Sequence, residues 1–67
     1  MIQLTSRQQA LLRFLAAMSG YVSVKDIANQ FGYSQRTIRY DLDAVGVWLR
    51  DQGGVLDKRP NAGVRLE

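Results

Sequence analysis

The chain has no cysteine and no histidine, and each absence closes off a class of protein. Without cysteine there is no disulfide to staple a small fold, and without either residue the common soft metal ligands are missing. Stability must come from an apolar core. Sixty-seven residues make one small domain, which buries only about 60% of the surface its unfolded chain exposes. The apolar fraction of 46% can build such a core, yet no apolar run approaches the ~20 residues that a membrane span needs. The N-terminal stretch MIQLTSRQQALL lacks the charged leader, apolar run and small-residue cleavage site of a secretory peptide. The expected compartment is the cytoplasm.

Catalytic parts are also lacking. Asp41 and Asp43, two residues apart in a helical stretch, point in widely different directions and make no acid–base pair. The serines fall at helix starts, with no His or Cys to activate one. No Gly-rich phosphate loop is present. The chain reads as a non-enzyme that needs no cofactor and no metal. Repeats, low-complexity runs and linkers are absent too.

What the sequence does have is positive charge. Nine Lys and Arg against six Asp and Glu give a formal net charge of +3, which suits a polyanionic partner once the cations gather on one surface.

Three helical patterns follow one another. Thr5 with Gln8 three residues on has the spacing of a capping box, which starts a helix near Ser6. Leu11, Phe14, Leu15 and Met18 then recur at i, i+3, i+4 and i+7, a stripe that faces a core, and Gly20 is placed to end the helix. The segment YVS at 21–23 offers one short strand. Ser23 caps a second helix with Asp26 in its first turn, and Val24, Ile27, Ala28 and Phe31 repeat the same spacing. Gly32 supplies a left-handed cap and Ser34 starts the third helix two residues later. Two helices joined by so short a Gly-containing turn make a helix-turn-helix.

The third helix, 35–51, turns Ile38, Leu42, Val45 and Leu49 inward. At about 100° per residue, its opposite side collects Arg36, Arg39, Tyr40, Asp43, Val47 and Arg50. Gly46 weakens it by about 1 kcal/mol relative to Ala, which leaves room for a bend or an early end. Trp48 falls beside the core face and reads as packing, a stacking platform for a base being the other reading. Beyond it, VLDKR, PNAG and VRLE form two short strands around a turn, a β-hairpin. The fold class expected is mainly α with a small β-hairpin: a winged helix-turn-helix of three helices and a two- to three-stranded wing, all in one domain spanning 1–67.

In such a domain the second helix of the pair puts its N-terminal residues into the DNA major groove. Arg36 and Arg39 can fork onto guanine, Gln35 can pair with adenine, and Tyr40 offers a hydroxyl and an apolar surface to thymine; these four are the expected base contacts. Ser34 and Thr37 suit phosphate, as do Lys58, Arg59, Asn61 and Arg65 on the wing and Ser23 and Lys25 at the second helix. A solvated surface lysine is the plainer reading of Lys25. Asp43 would be repelled by phosphates, and its i, i+4 spacing suggests that it holds Arg39 instead. The expected partner is double-stranded DNA, since the deep A-form groove of RNA excludes a helix. The alternative is a winged helix used as a protein–protein interaction module, which Val47 and the wing edge would permit.

SQRTIRYDLDAV followed by LDKRPNAGVRLE resembles the N-terminal winged helix of bacterial regulators of sugar phosphotransferase operons, the mannitol-operon activator or antiterminator-like type. The resemblance runs from LTSRQQALLRFL to GVRLE. It rests on Ser34, Thr37, Ile38, Arg39, Asp41 and Leu42 in the recognition helix and on Gly63, Val64, Arg65 and Leu66 in the wing. It departs at Val45 and Gly46, where Leu and Asn are common. Similar segments occur in the biotin repressor and in deoxyribose-type sugar repressors. The resemblance implies a DNA-binding carbohydrate-operon regulator of which this chain is the N-terminal piece. Regulatory domains and any homodimer contacts would lie outside these residues.

Overall fold

A computed structural model describes residues 3–67; Met1 and Ile2, the first two residues of the MIQLTSRQQALL stretch, lie outside the described residues. The element order is α1 (Ser6–Ala17), α2 (Val24–Phe31), α3 (Gln35–Asp51), β1 (Leu56–Arg59) and β2 (Gly63–Leu66). This is the mainly helical winged helix-turn-helix expected from the spacing of apolar residues and caps.

Each helix begins where a hydroxyl can satisfy a free backbone N–H. Thr5 and Gln8 form a reciprocal capping box, Ser23 Oγ accepts from the Asp26 N–H, and Ser34 Oγ accepts from the Thr37 N–H. Gly32, at φ 75°, turns the chain out of α2 in the left-handed region, and the Ala28 carbonyl accepts from both Gly32 and Tyr33 N–H. Three residues, Gly32 to Ser34, separate the two helices.

Leu11 and Leu15 of α1, Ile27 and Ala28 of α2, Ile38, Leu42, Val45 and Leu49 of α3 and Val64 of β2 close one core. Phe14 and Phe31 meet edge to face at 5.5 Å and tie α1 to α2. Trp48 packs against this core, in keeping with the packing reading. Met18 does not join it. The residue is extended (φ −86°, ψ 141°) and 42% exposed, because α1 ends at Ala17 and no longer carries the next residue on its inner face. Gly20 is therefore not what stops the helix.

α3 runs unbroken through Gly46 to Asp51, so no early end occurs. A Cβ at Gly46 would meet Leu56 Cδ2 at 3.8 Å, an ordinary contact. Gly46→Ala should therefore stabilise the domain by about 0.5–1 kcal/mol and raise the thermal midpoint in a melting experiment by a few degrees.

The wing pairs Leu56 with Leu66 and Arg59 with Gly63 in antiparallel register. Its turn is tighter than the expected PNAG loop: Pro60, Asn61 and Ala62 make it, and Gly63, at φ 110°, already belongs to β2. The third strand shrinks to a single bridge, in which Val22 and Val64 exchange two N–H···O bonds of 2.9 Å. That bridge ties the wing to the start of α2.

Candidate nucleic-acid interface

The short link between α2 and α3 and the Val22–Val64 bridge together fix where the polar side chains stand. Between the start of α2, the outer flank of α3 and the wing runs a groove of about 590 Å³. It is lined by Ser23, Lys25, Gln35, Arg39, Lys58, Arg59 and Asn61, with Asp43 among them. Seven residues singled out from the sequence, drawn from three separate elements, thus share one concave surface. Arg36 and Tyr40 stand exposed on the adjoining crest of α3, where Tyr40 keeps 71% of its surface. Ser34 and Thr37 sit at the tip of the helix, where the Ser34 hydroxyl donates to Thr37 Oγ1 and caps the helix by accepting from the Thr37 N–H.

Arg65 is set apart. The β register pairs it with Asp57 and puts Lys58 opposite Val64, so Lys58 turns toward the helices while Arg65 turns to the outer face of the wing. There its guanidinium covers the Tyr21 ring at 5.1 Å, with Glu67 and Asp57 at 3.4 and 3.9 Å; Arg59, which also lines the groove, approaches the same ring and Asp57 at 5.8 and 3.8 Å. The Tyr21 hydroxyl donates to the Asp57 carboxylate, which holds the phenol proton more tightly than usual. This cluster braces the hairpin against the segment that leads into α2.

Asp43 does not hold Arg39. Its carboxylate accepts from Lys58 Nζ at 2.8 Å, because the wing brings a cation closer than the next turn of the helix does. Arg39 makes no ion pair among the described residues and keeps its donors free.

The least expected side chain is Asp41. It is fully buried, and its carboxylate accepts from Arg7 Nη2 at 3.0 Å and from Gln8 Nε2 at 3.1 Å, with Arg7 Nε giving a second contact. Arg7 also stacks over the Tyr33 ring at 5.0 Å. Thirty-four residues separate Arg7 from Asp41, and no local spacing pairs them. The available signal was the place of Asp41 on the wheel, beside the inward stripe of α3, where a carboxylate needs a partner.

Burial on its own would push the Asp41 carboxyl up. The hydrogen bonds from Arg7 and Gln8 and the guanidinium charge outweigh that and hold it below its usual value of 3.8. Because the group titrates lower when folded than when unfolded, its contribution is whole above about pH 4 and is lost as the pH falls through the folded value. Melting curves should drop steeply below about pH 4, and Asp41→Asn should flatten that drop.

No helix among the described residues is long and apolar enough to cross a membrane, and no cluster there could hold a metal ion. Searches of curated proteins and of solved structures returned no match. Residues 7–57 match the model of the DeoR-like helix-turn-helix domain. The match spans all three helices and enters the wing, and with the cation-lined groove it makes the chain a member of the DeoR-like helix-turn-helix family, a DNA-binding domain of transcription regulation.

Proposed function

We propose that the domain binds double-stranded DNA in a sequence-specific way, with α3 in the major groove and the 55–66 hairpin on the backbone or in the minor groove. Gln35, Arg36, Arg39 and Tyr40 read base edges. Ser23, Lys25, Ser34, Thr37, Lys58, Arg59 and Asn61 hold phosphates. The observation that carries this reading is the shared groove: cations from α2, α3 and the wing converge on one surface beside an uncovered helix start. An α-helix with its side chains is about 10–12 Å across, which matches a major groove of about 12 Å. Arg65, committed to Tyr21 and Asp57, braces the wing in this scheme and is the weakest of the phosphate candidates. The resemblance to sugar phosphotransferase-operon regulators further suggests a cytoplasmic bacterial regulator of carbohydrate genes, larger than these residues and dimeric through parts outside them.

The experiment is selection of duplexes from a random pool, followed by a salt titration on the winning sequence. If about four phosphates are neutralised, log affinity should fall with log salt at a slope near −3.6. A flat dependence, or equal affinity for a scrambled duplex, would reject the reading.

Asp43 makes a further outcome predictable. Its carboxylate both repels phosphate and occupies Lys58. Asp43→Asn should tighten DNA binding about fivefold, corresponding to roughly 1 kcal/mol between two charges in water-like surroundings. Stability should change by under about 0.5 kcal/mol, since the Lys58 pair is exposed.

A second reading is favoured by Val47, outward on α3, and by Val55 between α3 and β1, which keep 42% and 55% of their surface: here α3 would meet a protein partner instead of DNA. Charge reversal at Arg36 and Arg39 that spares DNA affinity but abolishes such a complex would favour it.

A further inference from the structure

A helix seated in the major groove has a phosphate strand on each side. In the reading above, the wing, Lys25 and Ser23 serve only one of them. At about 100° per residue, Gln35 and Arg39 lie on the wing flank of α3, whereas Thr37 and Asp41 lie on the flank that packs on α1. That second flank carries a cation of its own. Arg7 reaches it from the first turn of α1, bound to Asp41 and stacked on Tyr33, the residue just before the Ser34 cap of α3.

We infer that Arg7, steadied by Asp41 and backed by Tyr33, is a second phosphate-binding site, which grips the DNA strand on the side of α3 away from the wing. This rests on the DNA-binding reading. A guanidinium has five N–H donors; the two given to Asp41 leave three. The side chain is 36% exposed although its partner carboxylate is fully buried, so part of it reaches solvent. Tyr33, 45% exposed, adds a hydroxyl beside them. The carboxylate behind the guanidinium lowers the local net charge, but it also fixes the rotamer before DNA arrives, so little side-chain freedom remains to be lost on binding.

Arg7→Met alone would strand a buried carboxylate. The informative variant is the double substitution R7M/D41N, which removes one cation and one anion, leaves the net charge at +3 and keeps an acceptor for Gln8. Binding of the selected and scrambled duplexes is measured across a salt series, next to wild type and Lys25→Ala. The inference expects affinity to fall about three- to tenfold for both duplexes, the specificity ratio to hold, and the salt slope to shrink by about 0.9. A folded double variant with wild-type slope and affinity overturns it. So does a lower specificity ratio at unchanged slope, which would mean that the pair only positions α3. Failure of wild type itself to prefer the selected duplex would instead sink the DNA-binding reading. Should the double variant not fold, ethylation interference with wild type and Thr37→Ala decides: phosphates on the α1 side of the α3 site whose ethylation still blocks binding of Thr37→Ala support the inference, and interference on the wing side alone overturns it.

Discussion

Gly63→Ala is expected to cost about 3 kcal/mol of stability and to weaken DNA binding beyond that. At φ 110° an L side chain is strained, at about 1–2 kcal/mol. A Cβ would also stand 2.2 Å from the Val22 carbonyl oxygen and 2.9 Å from Ser23 Cα. Those neighbours are backbone and cannot swing aside, so the wing has to leave Val22. The two Val22–Val64 hydrogen bonds then go with it, at about 1 kcal/mol each. For a domain of this size the thermal midpoint should fall by more than about 12 °C. Gly53→Ala is the matched control: its φ is also positive, 83°, but the space around it is open, so it should pay the conformational cost alone. If the two variants melt together, the Val22–Gly63 contact does not hold the wing.

Arg39→Ala should have the largest effect on recognition. The guanidinium lines the groove, is exposed and has no ion-pair partner among the described residues, so removing it should leave the melting curve unmoved. If it forks onto a guanine, its loss costs about 1–3 kcal/mol, roughly 5- to 150-fold in affinity, and relaxes preference at one base pair. Lys25→Ala should behave differently. It should weaken selected and scrambled duplexes alike and shrink the salt slope by about 0.9. Binding curves for the two variants on single-base-substituted duplexes separate the roles, and an Arg39→Ala protein that still discriminates at every position would remove Arg39 from the set of base readers.

Helices and caps were legible in the sequence because their causes are local. A hydroxyl three residues ahead of an unpaired N–H, a glycine where φ must be positive and an apolar residue every third or fourth place all act within a turn or two. The hairpin was legible for the same reason, although the φ of Gly63 moved the turn by one residue. What escaped depends on contacts between distant parts of the chain. Met18 continued a good stripe, yet the backbone left the helix one residue before it. Asp43 had a plausible partner one turn away and took Lys58 from the wing. The Arg7–Asp41 pair and the bond from Tyr21 to Asp57 join residues 34 and 36 positions apart, and side chains that distant become neighbours only after the helices and wing have packed. The groove itself is of this kind: its members could be named one by one, but their convergence depends on how the wing is tied to α2.

The most direct measurement is a map of backbone amide shifts in the folded domain as a selected duplex is added. Large changes should fall at Ser34–Tyr40, at Ser23 and Lys25, and at Lys58, Arg59 and Asn61 to Gly63, with little change in the C-terminal half of α1. Changes centred on Val47 and Val55 with Gln35–Tyr40 undisturbed, or the same pattern for a scrambled duplex at moderate salt, would contradict it.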